Sequence, residues 1–155
     1  KHLRANGCSN ATVLGVCVGD RTAVCSFETR CNSVAGRISS DGDEAVLMVS
    51  LDALAESGSI PLPDVMKIDV EGAEVDALNG ARGVIESRRP RILLATHSEI
   101  LDRECARLLT DLGYRIRDLT PFEGDKEVLA IHPDDGDFES DGAAVSTAAS
   151  SSGAT

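Results

Sequence analysis

Apolar residues in the first two-thirds of the chain fall in short runs bounded by glycine, proline or charged residues. The run at 11–18 is nearly continuous and rich in β-branched side chains, which is typical of a strand covered on both faces of a parallel sheet. Further strands are predicted at 22–27, 45–49, 65–70 and 92–95. The segment at 28–44 is rich in Asn, Ser, Gly and Asp and predicts a loop.

Predicted helices follow several of these strands. The clearest helix begins at Ser98, a good N-cap, and ends at Gly113. Its apolar positions recur at helical spacing at Leu101, Cys105, Leu108 and Leu112. Shorter helices are predicted before Gly7, after Ser50, between Gly72 and Gly80, and before Pro90.

The end of the ordered region reads as a strand pair followed by a tail. Residues 114–119 alternate apolar and charged side chains, the period of a half-exposed strand, and a turn at 122–125 leads into the apolar run 128–131. Because the connection is so short, the two strands must be antiparallel. From residue 133 onward there are too few apolar groups to offset the ordering entropy. We therefore expect one domain at 1–132 and a disordered tail at 133–155.

Charge and hydropathy exclude several classes of partner. The 26 acidic residues against 15 Lys and Arg give a formal charge of −11, which argues against duplex nucleic acid or an anionic membrane as the main partner. No apolar segment approaches the roughly 18 residues of a spanning helix, and the N-terminus has no signal-like region. The sequence predicts a soluble, cytoplasmic protein.

The five cysteines suggest neither a zinc knuckle nor a disulfide framework, because they show no C-x-x-C pair and no regular spacing. They are interpreted as reduced, mostly buried thiols. Cys17 and Cys25 lie in predicted strands, and Cys105 lies on the apolar face of a predicted helix.

The most informative segment is 65–74, Val-Met-Lys-Ile-Asp-Val-Glu-Gly-Ala-Glu. It brings Asp69, Glu71 and Glu74 to the point where a strand gives way to a helix, which is where open α/β sheets bind their ligands. The structural alternative is that carboxylates simply favour a helix N-terminus, by about 0.3 to 1 kcal/mol each. We interpret Glu74 in that structural way and Asp69 as functional. Lys67, in mid-strand, is expected near a sheet edge or snorkelling out of the core.

Three segments together resemble the FkbM-type family of S-adenosylmethionine-dependent methyltransferases. They are residues 65–74, Asn79-Gly80-Ala81-Arg82 and Arg89-Pro90-Arg91-Ile92-Leu93-Leu94. The resemblance covers about residues 1–132. It implies an α/β fold with a Rossmann-like class I methyltransferase sheet, mostly parallel with an antiparallel terminal strand. The family's first two strands, which carry a glycine-rich loop and a ribose-binding acid, have no counterpart before residue 11. We therefore expect a fragment that is inactive alone.

The resemblance also implies roles for individual residues. Asp69 would face the sulfonium of the cofactor and orient or deprotonate an acceptor hydroxyl. Glu71 would share that role or help to hold a divalent cation. Val18, Gly19 and Asp20 correspond to the segment near the adenine, where glycine permits close approach; the alternative is an ordinary Gly-Asp turn.

A histidine follows the predicted strand 92–95. The family often shows E-x-H there, so His97 is a candidate for a polar or general-base group in the acceptor pocket, against the alternative of a capping or surface histidine. The family's glutamate position is Ala95 in this chain, which removes one carboxylate from the site.

The predicted function is S-adenosylmethionine-dependent methylation of oxygen, with a small-molecule or glycan hydroxyl as acceptor. Direct in-line transfer from an activated donor requires positioning and proton removal, and no metal. One alternative is a non-catalytic methyltransferase remnant that serves as an interaction domain. Another is a different Rossmann-like nucleotide binder, which the absence of a phosphate-cradling glycine loop disfavours.

Overall fold

The structure is a computed structural model that describes residues 2–29, 36–120 and 126–135, and those ranges contain five helices and eight strands. The helices are α1 (His2–Ala5), α2 (Leu51–Glu56), α3 (Glu74–Asn79), α4 (Arg82–Arg88) and α5 (Glu99–Asp111). The strands are β1 (Cys17–Val18), β2 (Ala23–Glu28), β3 (Arg37–Ile38), β4 (Glu44–Val49), β5 (Val65–Ile68), β6 (Arg91–Thr96), β7 (Arg115–Asp118) and β8 (Lys126–Ile131). The predicted turn at 122–125, Cys31 and all but the first residues of the predicted tail lie outside the described ranges. No helix in the described part of the chain is long and apolar enough to cross a membrane.

The described strands form two mixed sheets of four strands each, in the orders β1-β4-β2-β3 and β5-β6-β8-β7. Only the pairs β1–β4 and β5–β6 are parallel. The predicted mostly parallel arrangement is therefore wrong for these strands. β2 and β3, and likewise β7 and β8, are joined by short connections and pair antiparallel, and β2 also pairs antiparallel with β4 and β8 with β6. The predicted antiparallel pair at the end of the domain is confirmed as β7 and β8.

The strand predicted at 11–18 is confirmed only for Cys17 and Val18. Residues 11–16 have no ladder partner among the described strands, and Val13 is 75% exposed. An apolar run forms a buried strand only where neighbours pair with it and cover it, which local pattern cannot reveal. Within the predicted loop at 28–44, the structure adds the short strand β3, which pairs with the end of β2.

The hydrophobic core is built on the second sheet and contains residues of β5, β6, β8, α3, α4 and α5. Along β5, Met66 and Ile68 point into this core while Val65 and Lys67 are exposed. Among the described strands β5 pairs with β6 alone, so the edge position predicted for Lys67 is confirmed. Fully burying a side chain such as Leu78 or Ile85 contributes about 1.5 to 3 kcal/mol, so this packing holds the helices on the sheet.

Parallel pairing of β5 and β6 determines where their carboxyl ends lie. Ile68 is opposite Leu94, so the residues that follow both strands emerge at the same edge of the sheet. α5 begins directly after β6, and the Ser98 hydroxyl caps it by accepting from the backbone N–H of Leu101, as predicted.

The N-terminus of α4 is capped by a side chain from another helix. Its own N-cap residue, Ala81, has no side-chain hydrogen bond. The Asp52 carboxylate of α2 instead accepts from the backbone N–H groups of Gly83 and Val84, both at 2.9 Å. A Cβ on Gly83 would lie 3.2 Å from that carboxylate, so glycine permits the close approach. One acidic side chain thus joins α2 to α4 and stabilises the end of a helix dipole.

Replacing Asp52 should therefore destabilise the domain. We expect Asp52→Ala to lower the free energy of unfolding by about 1 to 2 kcal/mol, because it leaves two helix N–H groups without their acceptor. Urea denaturation followed by circular dichroism measures the loss. Glu56→Ala, at the exposed end of the same helix, is the matched control and should change stability little. Equal stability of the two variants would contradict the capping role.

Candidate active site

A strained turn follows β5. Glu71 has φ 51° and Gly72 has φ 101°, so two consecutive residues adopt left-handed backbone conformations. Positive φ at a non-glycine residue is uncommon, costs about 1 to 3 kcal/mol and concentrates at functional sites. This turn lets both Asp69 and Glu71 approach the end of β6, where His97 lies.

His97 is the centre of the candidate site. Its Nε2 atom lies 3.5 Å from Asp69 Oδ1 and 3.6 Å from Glu71 Oε2. Its Nδ1 atom lies 2.8 Å from Glu74 Oε1. Only 19% of the His97 side chain is exposed, against 51% for Asp69 and 43% for Glu71. The structure therefore brings the three predicted catalytic residues together and adds a third carboxylate, that of Glu74, behind the ring.

Glu74 is completely buried, which the interpretation as a simple helix-terminal residue did not anticipate. Its Oε1 atom accepts a hydrogen bond from the backbone N–H of Gly72 and shares a second one with His97 Nδ1. Its Oε2 atom is buried without a hydrogen-bond partner among the described residues. A signal was present in the sequence: Glu74 lies one helical turn before Leu78, on the face that α3 buries.

The charge of Glu74 affects the pKa of a cysteine in the hydrophobic core. Burial, followed by the charges of Glu74, Asp102 and Glu104, raises the pKa of Cys105 to about 12. Cys105 is therefore a thiol at physiological pH, in agreement with the buried, reduced cysteine predicted from its helical position.

The contact with Glu74 determines how His97 presents its other nitrogen. An ionised carboxylate can only accept, so Nδ1 carries the hydrogen that it donates to Glu74. Nε2, which faces Asp69 and Glu71, is then the basic nitrogen of the neutral ring. An oriented base beside two carboxylates can remove a proton from a hydroxyl group or bind a cation.

A cleft of about 570 Å³ opens beside these carboxylates. Asp69, Val70, Glu71 and Ala73 line one part of it. The apolar side chains of Leu14, Val16, Val18, Phe27 and Ile38 also line it. Its volume is that of a small-molecule site, and its lining combines apolar walls with a few polar groups.

Of the segment predicted to contact adenine, only Val18 is among the described lining residues of this cleft. Gly19 instead packs against α3: a Cβ on Gly80 would lie 1.9 Å from the Gly19 carbonyl oxygen. Asp20 is exposed and pairs with its neighbour Arg21 at 2.8 Å. The missing side chain of Gly80 permits this contact, whereas a Cβ on Gly19 itself would lie 2.3 Å from Met48 Sδ, so both glycines serve packing between elements. Ala95, at the position where the resemblance predicts a glutamate, is buried in β6 and supplies no polar group.

Comparisons with known proteins agree with this architecture. A family model described as the methyltransferase FkbM domain matches residues 14–116. The chain is 31% identical over 75 residues to the hexuronic acid methyltransferase AglP of Haloferax volcanii, an alignment that covers 48% of this chain and 31% of that protein. The crystal structure of methyltransferase FkbM from Methylobacillus flagellatus superposes with a TM-score of 0.58 at 22% identity, over 83% of this chain and 32% of that one.

These matches confirm the resemblance noted in the sequence and show an α/β fold similar to that of the solved structure. The chain spans about a third of the length of each of these two relatives. Asp69, Glu71, Glu74 and His97 all fall within the residues that the family model matches.

Glu74 should control the tautomer of His97. Long-range ¹H–¹⁵N NMR spectra of the protein should show the hydrogen on Nδ1, and Glu74→Leu should shift the ring toward the Nε2–H form because the buried acceptor is lost. Asp76→Asn, on the exposed side of the same helix, is the control and should leave the ring signals unchanged. An Nε2–H ring in the unmodified protein would contradict the assignment.

Proposed function

Since the chain belongs to the FkbM methyltransferase family, we propose that it acts in S-adenosylmethionine-dependent methyl transfer to an oxygen atom of a glycan or small molecule. The observation that carries the proposal is the convergence of Asp69 and the His97 Nε2 atom beside an apolar cleft, at the carboxyl ends of two parallel strands. This is the edge at which open α/β sheets bind ligands. The Rossmann-like class I arrangement is part of the proposal.

The residues of the cleft suit the proposed cofactor. Carboxylates at one end favour a cationic sulfonium, and the apolar walls suit the flat face of an adenine. Asp69 and Val18 are the residues of the predicted cofactor set that line the cleft, so they are the ones we propose to contact it. Gly19 and Asp20 have no such support.

The chain's own residues would orient the acceptor and remove its proton. S-adenosylmethionine supplies an activated methyl group when bound. A hydroxyl held beside Asp69 and His97 could donate its proton to Nε2 while its oxygen took the methyl group, and the S–CH3 bond of the sulfonium would break to leave a neutral thioether. Glu74 then stabilises the imidazolium, because its buried carboxylate accepts from Nδ1. The proton therefore has a defined destination next to a charge that favours it.

A sugar acid is the acceptor class that we favour. One relative is described as a hexuronic acid methyltransferase, and a cationic side chain, Arg37, which pairs with Glu28 at 3.0 Å, is among the residues that line the cleft. A guanidinium is suited to bind a carboxylate with two hydrogen bonds. We propose that the sugar carboxylate is held there while a hydroxyl of the same residue faces His97.

With the full-length gene product, the assay follows transfer of an isotopically labelled methyl group to hexuronic acid glycans, together with calorimetric titration of the cofactor. We expect Asp69→Asn and His97→Gln to lower kcat by about 10² to 10⁴-fold, the usual contribution of a positioned acid or base. Asp76→Asn changes the net charge as Asp69→Asn does, away from the cleft, and should retain full activity.

Three results would contradict the proposal. Full turnover by Asp69→Asn would reject the assigned role of that residue. Methyl label on the sugar carboxylate, together with full activity of His97→Gln, would reject methyl transfer to a hydroxyl. A carboxylate acceptor has no proton to lose at neutral pH, so it needs no base. Absence of both cofactor binding and transfer would favour the non-catalytic interaction domain.

A further inference from the structure

We propose that Asp69, Glu71 and His97 form a binding site for one divalent transition-metal ion, with Zn²⁺ as the ion that fits best. The three residues each offer a ligand atom, and these atoms all lie within 4.8 Å of one another. The ligand set is one imidazole nitrogen and two carboxylate oxygens. Because a bound ion would occupy the Nε2 lone pair, ion binding and proton acceptance by His97 are alternative states of the site. The role of Nε2 as a base rests on the proposed function, whereas ion binding can be measured without cofactor or acceptor.

Two of the three spacings between ligand atoms match a tetrahedral ion, and the third is bounded by 4.8 Å. Ligands at 2.0 to 2.2 Å from a tetrahedral Zn²⁺ lie about 3.3 to 3.6 Å from one another. The two distances from His97 Nε2, 3.5 Å to Asp69 and 3.6 Å to Glu71, fall in this range. Adjacent ligands of octahedral Mg²⁺ would be about 2.9 Å apart, and Mg²⁺ and Ca²⁺ prefer oxygen ligands throughout. The imidazole nitrogen therefore favours a zinc-like ion.

Glu74 supplies the support that metal-binding histidines ordinarily have. A histidine that binds a metal through one nitrogen usually donates its other N–H to a carboxylate, which fixes the ring and increases its basicity. Here the Glu74 carboxylate accepts from Nδ1 at 2.8 Å, and the opposite nitrogen points at Asp69 and Glu71. Glu74 belongs to α3 and the other two carboxylates to the preceding turn, so the ring is held from both sides.

The burial of Glu74 is a separate observation that calls for a cation. Its side chain is wholly inaccessible, and Oε2 lacks a hydrogen-bond partner among the described residues. Its ion-pair partner in the described part of the chain is His97, which also faces the carboxylates of Asp69 and Glu71. A buried carboxylate is costly unless positive charge lies near it. A divalent ion on His97 Nε2 would balance this group of three carboxylates, while Lys67 reaches only Asp69.

The experiment is a calorimetric titration of ZnCl₂ into metal-stripped protein, without cofactor or acceptor. We expect saturable binding of one ion per chain. Asp69→Asn and His97→Gln should abolish this binding, and Glu74→Gln should weaken it about 10 to 100-fold, as loss of a supporting carboxylate does elsewhere. Asp76→Asn removes an equivalent charge from the exposed side of α3 and should bind as tightly as the unmodified protein. Thermal unfolding of each variant without metal verifies that it is folded.

Co²⁺ provides an independent readout of the ligands. Tetrahedral Co²⁺ with nitrogen and oxygen ligands should give visible d–d absorption without a sulfur charge-transfer band, and Asp69→Asn should lose that absorption. A sulfur band would assign binding to cysteines and overturn the proposal. Absence of stoichiometric Zn²⁺ binding, or binding that Asp69→Asn and His97→Gln leave intact, would also overturn it.

The proposed metal site and the proposed methyl transfer fail in distinguishable ways. Methyl transfer that proceeds fully in EDTA, by a protein that binds no Zn²⁺, would overturn only the metal site. Stoichiometric Zn²⁺ binding that requires Asp69 and His97, with no cofactor binding and no transfer, would overturn only the proposed function.

Discussion

The hydrogen bond between the buried carboxylate of Glu74 and the ring of His97 joins the two parts of the candidate site. Glu74 opens α3 and His97 follows β6, so this contact ties a helix to the end of a neighbouring strand. Because Glu74 has no access to solvent, its charge is stabilised mainly by this bond and by the backbone N–H of Gly72. The orientation of the His97 ring, and with it everything proposed for Nε2, depends on that contact.

The course of the backbone around Glu74 explains why Asp69 and Glu71 lie close to His97. β5 and β6 are parallel and adjacent, so both chains leave the sheet at the same edge. The left-handed residues Glu71 and Gly72 then reverse the chain direction within a short distance. Together these features bring two half-exposed carboxylates to the outer nitrogen of a histidine that is held on its inner side. The positions of the candidate catalytic side chains therefore depend on the parallel pair β5 and β6 and on the strained turn after β5, and α3 supports them.

Local signals in the sequence predicted much of the second sheet and its helices. Ser50 and Ser98 cap the helices predicted for them, the apolar positions of α5 include the buried Cys105, and β7 and β8 pair antiparallel as their short connection requires. These features depend on neighbouring residues, so local pattern suffices. The strand predicted at 11–16 is wrong, because whether an apolar run is covered by neighbouring strands depends on segments distant in the sequence.

By itself, the sequence determined the family, the α/β class and the position of an acidic turn after a buried strand, because these follow from residue types and spacings along the chain. Tertiary structure alone decided that Glu74 is the buried partner of His97, and that Gly19 packs against Gly80 instead of lining the cleft. Residues 74 and 97 come together only when α3 packs beside the end of β6. Their contact depends on that packing, and nothing in the spacing of the two residues along the chain encodes it.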